Sequence, residues 1–403
     1  MLQSPRVTAM AVAVAASCCA PMMAQAQSNV TIYGRLYPEI VRVNVSGATA
    51  KGVPVSTLAA AATGAADLSQ TTEDSPNSRL GFRGTEALGG GLKAIFQLEI
   101  GLGVDTGTNS SSTSLFSRDT FVGLAGGFGT VKLGSMDTVY KNLGDTMSFL
   151  GVSSGNFIST SSILSKPGIG ASSASSFHLR RGNSMVYESP EYAGFQWLFD
   201  YSLGEIAGDA SRENVISTGV KYVAGPIYAA IAYERHNDLF GGSKNVPAAL
   251  KNDANPLAHS RDTGVRATAQ YAFTANTRVE ANFAKIKYEE TGGGAGKFSE
   301  YRHNAWSIAG EQKIDSVSLV ASYGQSAAGS CLLVGAFTCS TSGLDGKMLN
   351  LGVGYYLSKR TLLFALYSYM GNGDSAVYNN WNNGKPSSGQ DIKTAAFGIS
   401  HSF

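Results

Sequence analysis

Apolar and polar residues alternate in short segments along most of the chain. In residues 92–99, every second residue from Leu92 is apolar, whereas Lys93, Gln97 and Glu99 lie between them. A period of two predicts a β-strand with one apolar and one polar face. The same alternation recurs in residues 227–234, 265–271, 316–323 and 349–355.

The pattern predicts sixteen strands, joined alternately by short turns and long loops. They lie near residues 29–46, 76–86, 92–102, 118–125, 129–136, 182–190, 194–203, 214–223, 226–235, 262–272, 277–288, 304–313, 316–326, 347–357, 360–370 and 391–403. An even strand number with this asymmetry of connections is typical of bacterial outer-membrane proteins. The predicted fold is therefore an all-β, 16-stranded antiparallel transmembrane β-barrel. A soluble β-sandwich would also alternate, but sixteen strands would imply two domains, and no linker is visible.

One long segment, Asp137 to Leu179, breaks the pattern and shows neither strand nor helix periodicity. Nineteen of its 43 residues are Ser, Gly or Thr, with apolar residues such as Phe149 and Phe157 among them. Structureless loops longer than ~12–15 residues are mostly functional or disordered. We expect this loop, over about residues 137–181, to fold into the barrel and form its constriction.

Residues 1–26 have the features of a cleaved signal peptide. Arg6 supplies a positive charge, Ala9 to Ala20 form an apolar region, and Ala24-Gln25-Ala26 resembles a cleavage site. The predicted barrel domain is therefore residues 27–403.

The composition changes the picture in two ways. The 31 basic and 29 acidic side chains nearly balance, which argues against a nucleic-acid partner. No apolar run reaches 18 residues, and mean hydropathy is −0.03, a value that a barrel with alternating faces can have.

Two cysteines remain beyond the signal peptide, Cys331 and Cys339 in one loop. Export into an oxidising compartment favours a disulfide between them. No His lies near the pair in sequence, so we expect no metal site there.

The last strand ends the chain on an aromatic residue. Phe397, Ile399 and Phe403 share one face of it. With no tail, this strand is free to pair with residues 30–36 and remove the open edge of the sheet.

Several stretches resemble the general porins of the Gram-negative outer membrane, in their β-proteobacterial form. They are residues 30–34 (Val-Thr-Ile-Tyr-Gly), 78–86, 88–99, 121–124, 128–134, 183–184 and 187–190, together with the terminal Phe403. Their order and spacing cover essentially the whole chain after the signal peptide. The resemblance implies a homotrimer with the third outer loop folded inward, which passes small ions and hydrophilic solutes without a cofactor. It also implies contact with outer-membrane lipid and lipopolysaccharide, and Phe403 as the signal read by the outer-membrane assembly machinery.

The family carries a basic cluster on the wall that faces the inward loop. Arg79, Arg118 and Arg180 match its positions in this chain. Alternation independently puts Arg79 on the polar face and Arg180 in phase with polar residues, whereas Arg118 is in phase with apolar Val122 and Leu124. Further candidates for the pore constriction are Glu99 as a wall carboxylate, Arg35, Arg83 and Lys132 by alternation, and Asp145 in the loop itself.

The chain departs from the family at a few positions. Ala87 stands where an Asp is usual, and Ser135-Met136 replace Arg-Gln, which removes one basic side chain near the pore. We therefore expect weak to moderate anion selectivity. The alternatives are a substrate-specific channel or a surface adhesin on the same barrel. An enzymatic barrel would need a His paired with an acid or Ser at the rim, and the loop histidines show no such convincing pair.

Overall fold

The computed structural model describes residues 29–53, 55–111, 114–144, 150, 156–170, 176–207, 212–239, 241–252, 255–335 and 337–403. The predicted signal peptide, residues 1–26, and the candidate Asp145 lie outside the described residues.

Twenty strands make up almost all of the regular structure in these ranges. They are β1 (Asn29–Leu36), β2 (Glu39–Ser46), β3 (Leu68–Asp74), β4 (Arg79–Gly89), β5 (Leu92–Gly103), β6 (Thr108–Asn109), β7 (Thr120–Gly126), β8 (Gly129–Asp137), β9 (Arg180–Glu188), β10 (Phe195–Ser202), β11 (Asn214–Ala224), β12 (Ile227–Asn237), β13 (His259–Thr274), β14 (Thr277–Thr291), β15 (Phe298–Ile314), β16 (Val317–Ser326), β17 (Ser330–Leu333), β18 (Gly346–Tyr356), β19 (Thr361–Asn372) and β20 (Asp391–Ser402).

Helices in the described residues are few and short. They are α1 (Val139–Gly144), α2 (Ser161–Leu164) and the 3₁₀ turns Gly242–Asn245 and Ala248–Leu250. Both α-helices lie between β8 and β9, in residues 138–179, which we call the long loop. The prediction that this segment has no regular structure was therefore wrong for these two turns. No helix in the described part of the chain is long and apolar enough to cross a membrane.

The strands form one closed antiparallel sheet. β1 with β2, and β3 with β4, are each one interrupted strand, while β6 and β17 are short additions in outer loops. The remaining ladder has the sixteen predicted strands, each paired with its neighbour in the chain. β20 pairs with both β1 and β2 and closes the barrel. The predicted fold is confirmed.

The closure includes the last residue of the chain. The amide of Gly34 donates to the carbonyl oxygen of Phe403, and the amide of Phe403 donates back to Gly34, each at 3.1 Å. The Phe403 ring lies over Gly34, where an added methyl group would come within 2.4 Å of it. Glycine at position 34 therefore leaves the space that the terminal ring occupies.

Three predicted strands need correction, and one of them is β15, which begins at Phe298 rather than near residue 304. The first strand is interrupted at Tyr37 and Pro38, because proline has no amide hydrogen to donate to a ladder. The second begins at Leu68 rather than near residue 76. Residues 69–74 are polar on both faces, so they carry no apolar alternation for a sequence pattern to detect.

The two faces of the sheet differ in character. Outward side chains are apolar and exposed, as in Ile231 (57%) and Phe397 (61%), whereas their inward neighbours Ala232 and Ala396 are buried. An apolar exposed band is what lipid contact requires. Part of the inward face is also apolar, and it is buried. Its residues on β2, β16, β19 and β20 are Val41, Val43, Val45, Val320, Leu362, Phe364, Leu366, Met370 and Ile392.

A disulfide joins Cys331 and Cys339, whose Cα atoms are 5.8 Å apart. This bridge was predicted from the sequence and is confirmed.

Candidate pore-lining site

Three arginines lie near one carboxylate on the inward face of the first strands, and two of them pair with it. In the β1–β4 ladder Arg35 stands opposite Arg79, and Gly81 on β4 stands opposite Glu99 of β5. Arg118 Nε forms an ion pair with Oε1 of Glu99, and Arg79 Nε lies 3.7 Å from Oε2. Three positive charges against one negative charge leave an excess of two.

Tyr33 completes this group, which we call the arginine cluster (Arg35, Arg79, Arg118, Glu99 and Tyr33). Its hydroxyl donates to Oε2 of Glu99 at 2.8 Å, and the guanidinium of Arg83 lies 4.9 Å from the centre of its ring. Glu99 is buried, whereas the side chains of Arg79 and Arg118 remain 25% and 22% exposed. The carboxylate thus fixes the arginines in place while their outer edges stay in contact with water.

Arg180 belongs to a second, electrically balanced group. Its Nε lies 2.7 Å from Oδ1 of Asp119, and its Nη2 lies 2.7 Å from Oδ1 of Asp137. Lys141 of α1 also binds Asp137, at 2.8 Å. Two cations against two carboxylates leave no net charge, so Arg180 faces more negative charge than the sequence suggested.

Lys132, another candidate from the sequence, belongs to neither of these groups. Lys132 on β8 pairs with Glu188 on β9 at 2.6 Å, so its charge is also compensated. Asp119 is a charged residue that the sequence reasoning missed. Its only signal was its position directly after Arg118, at the end of an outer loop.

The long loop lies against the opposite part of the inward face. The backbone amide of Tyr140 donates to Ser217 on β11 at 2.9 Å, and the Tyr228 hydroxyl on β12 donates to the carbonyl oxygen of Leu143 at 2.8 Å. Buried Arg266 on β13 donates to the carbonyl oxygen of Gly144. The first helix of the loop is therefore bound along three neighbouring strands.

The second half of the long loop packs on the apolar part of the inward face. Phe157, Ile158, Ile163 and Leu164 are buried in one cluster with the valines of β2 and the leucines of β19. Asn350 on β18 donates to the carbonyl oxygen of Ile158 at 3.0 Å. The packing is close enough that a methyl group added at Gly324 or Gly346 would lie 3.0 or 3.1 Å from Ile163.

The imidazole of His178, at the end of the long loop, has a lowered pKa. Burial lowers the pKa of its imidazole well below the usual range, and the positive charges of Lys141, Lys166, Arg266 and Arg180 lower it further. Burial also lowers the pKa of Lys166. His178 is therefore neutral at neutral pH.

No group of three or more His, Cys, Asp or Glu within the described ranges is placed to hold a metal ion. The arginine cluster and the group around Arg180 form a charged, partly exposed wall on β1, β4, β5 and β7–β9. The opposite wall is covered by the long loop.

A sequence model of the Gram-negative porin family matches residues 9–375. The chain belongs to the Gram-negative porin family. It is an outer-membrane β-barrel that forms a channel for passive diffusion. The family and the location predicted from the sequence are confirmed.

Relatives of this porin have corresponding descriptions. An outer membrane porin protein of Bordetella pertussis is 28% identical over 317 residues, which are 73% of this chain and 77% of that protein. The major outer membrane protein P.IB of Neisseria lactamica is 32% identical over 224 residues, 49% of this chain and 62% of that protein.

Solved structures share the barrel. The anion-selective porin from Comamonas acidovorans superposes with a TM-score of 0.69 at 22% identity, over 94% of this chain and all of that one. The trimer form of OmpT from Vibrio cholerae superposes with a TM-score of 0.61 at 15% identity, over 93% and 99%. At these identities the likeness establishes the fold alone.

Proposed function

We propose that this porin is a general diffusion channel with weak to moderate preference for anions, and that the long loop folds inward to form its constriction. The observation that carries the proposal is the arginine cluster, where three arginines lie near one carboxylate that pairs with two of them, on a wall that the described part of the long loop does not cover. The balanced group around Arg180 adds no charge, which limits the preference. The Comamonas porin is itself described as anion-selective.

The test is a planar-bilayer measurement on the purified protein. Stepwise conductance increases are expected on insertion, and the reversal potential in a KCl gradient should show chloride to be the more permeant ion. A cation-selective parent would contradict the assignment of the arginine cluster to the narrow part of the pore. The same preparations, assayed against generic ester and peptide substrates, should show no turnover.

We also propose that the functional unit is a homotrimer, a state that the OmpT structure from Vibrio cholerae is described as having. Unheated samples should migrate as trimers in electrophoresis and convert to monomers on heating. The proposed mature chain begins after Ala26, and amino-terminal sequencing of outer-membrane material checks the cleavage site.

Lipopolysaccharide is the proposed lipid partner. Exposed basic side chains alternate with buried inward residues toward the outer-loop ends of several strands. They are Arg42, Arg261, Lys285, Arg302, Lys347 and Lys393. A tilted strand crosses the hydrocarbon layer in about 9–11 residues, so these positions lie near its outer boundary, where lipid phosphates are.

Replacement of three of these residues, Lys285, Arg302 and Lys347, by Gln should reduce the lipopolysaccharide that co-purifies with the trimer. Arg79→Gln is the matched control, because it removes a positive charge from the inward face. Equal amounts of lipopolysaccharide in all the proteins would contradict the proposed contact.

A further inference from the structure

Three outer loops are joined above the long loop by a set of short hydrogen bonds. The carbonyl oxygen of Ser340 accepts from the Thr57 amide at 2.9 Å and from the Ser56 hydroxyl at 2.7 Å. The Ser340 amide donates to Thr57 Oγ1 at 2.9 Å. Ser375 extends the contact, since its hydroxyl accepts from the Ser56 amide at 2.8 Å and donates to the carbonyl oxygen of Ser342 at 2.7 Å. We call residues 56–59, 340–344 and 373–378 the roof.

The roof packs against one turn of the long loop, residues 166–170. The Val377 amide donates to the carbonyl oxygen of Gly168 at 3.0 Å. A methyl group at Gly168 would lie 2.6 Å from the Tyr378 ring and 2.9 Å from the carbonyl oxygen of Leu344. The turn therefore packs so closely against the roof that no side chain fits at Gly168.

The centre of the contact between the roof and the turn is apolar and buried. Leu58 and Leu344 of the roof are fully buried, and Ile169 of the turn is 1% exposed in the same apolar cluster. On its other side the turn meets the loop between β12 and β13, since a methyl group at Gly170 would lie 2.5 Å from the carbonyl oxygen of Asn245. The turn is thus held from two sides.

The disulfide ties the roof to the barrel wall. Cys331 lies on β17, opposite Tyr301 of β15, and its partner Cys339 directly precedes Ser340. Both cysteines pack against the apolar cluster that contains Leu58 and Leu344. One covalent bond therefore fixes the residue through which the first outer loop is attached.

We propose that the roof, held by the Cys331–Cys339 disulfide, is a clamp that positions the constriction from the extracellular side. This inference rests on the proposed role of the long loop as the constriction. Cleavage of the bridge by a thiol reductant takes two electrons and two protons from the reductant and leaves two thiols. It frees Ser340 from the wall, loosens the roof, and lets the turn at Gly168 move within the pore.

The experiment compares folded trimers in planar bilayers before and after treatment with a dithiol reductant. Spontaneous closing events at fixed voltage should become more frequent on the order of tenfold, because the cross-link removes conformational freedom from the loop that it closes. The double variant Cys331→Ser with Cys339→Ser should show the high frequency from the start and not respond to the reductant. Treating trimers already folded keeps the test valid even where the double variant folds poorly.

A second variant reaches the same contact without touching the cysteines. Gly168→Ala should raise the closing frequency in the oxidised protein, because its methyl group pushes the turn off the roof. Gly127→Ala is the matched control, since nothing lies within 4 Å of that position. Heat-dependent electrophoretic mobility monitors the barrel in every sample.

Unchanged closing in reduced trimers of native mobility would overturn the clamp, as would an unaltered Gly168→Ala channel. Failure of the proposed function looks different. An oxidised parent without channel conductance, or one whose conductance does not depend on the long loop, would contradict the pore assignment itself.

Discussion

The charge of Arg79 should be visible in ion selectivity, and Arg79→Gln is the most direct perturbation. Arg79 is held less tightly by Glu99 than Arg118 is, with its Nε 3.7 Å from Glu99 and a quarter of its side chain exposed. Its replacement removes one positive charge and leaves the Arg118–Glu99 pair and the Tyr33–Glu99 hydrogen bond in place. The barrel should therefore keep its fold.

The magnitude follows from Coulomb's law. A unit charge about 6 Å from a passing monovalent ion is worth roughly 0.7 kcal/mol at the dielectric constant of water. At 0.1 M salt, with a Debye length of ~10 Å, screening leaves about 0.4 kcal/mol. The change has opposite signs for anion and cation, so their permeability ratio should fall roughly three- to fourfold. At 1 M salt, with a Debye length of ~3 Å, the effect should shrink to less than about 1.5-fold.

The assay is the reversal potential in KCl gradients of equal ratio at low and high salt. Glu99→Gln tests the sign, since removing a negative charge from the same cluster should shift the reversal potential toward anions. Lys393→Gln is the matched control, because this exposed lysine lies on the outward face of β20. The reasoning would be refuted by an Arg79→Gln channel with parental reversal potential at low salt, or by an equal shift in Lys393→Gln.

Two further outcomes follow from the fold. Deleting about twenty residues from the centre of the long loop, which is far longer than an ordinary connection, should raise single-channel conductance; unchanged conductance in a folded trimer would place the loop outside the pore. Removing Phe403 should lower the yield of heat-stable barrel, because its amide and carbonyl both close the ladder onto Gly34, and Gly34→Ala should do the same because its methyl group would meet the Phe403 ring. Outer-membrane levels equal to the parent in both variants would argue against that closing role.

Sequence periodicity predicts the barrel well because alternation follows directly from lipid on one side and water on the other. Prediction from periodicity fails where the contrast between lipid on one side and water on the other ends. Residues 69–74 are polar on both faces, so the start of β3 gave no signal. Arg118 is in phase with outward Val122, yet it pairs with Glu99 on the inward face. It precedes the first residue of β7, Thr120, and so lies outside the segment in which alternation decides direction.

Partner choice within the site was beyond sequence reasoning for a different reason. Arg180 binds Asp119 across 61 positions of the chain. That contact depends on where an outer loop ends and on how β8 pairs with β9, which single residues do not encode. The disulfide could be predicted because its two cysteines are close neighbours in one loop and no other choice remained beyond the signal peptide.

The apolar part of the inward face has a consequence for how the barrel must mature. Val41, Leu362 and Ile392 point to the side that holds water in an open channel, and they are buried in one cluster with apolar residues of the long loop. A barrel that closes before the loop has docked would expose this apolar strip to the water in its lumen. Such an intermediate should bind detergents and other apolar molecules that the finished channel excludes. Docking of the loop is thus the step at which the interior changes from a surface that attracts apolar solutes to one that passes hydrophilic solutes.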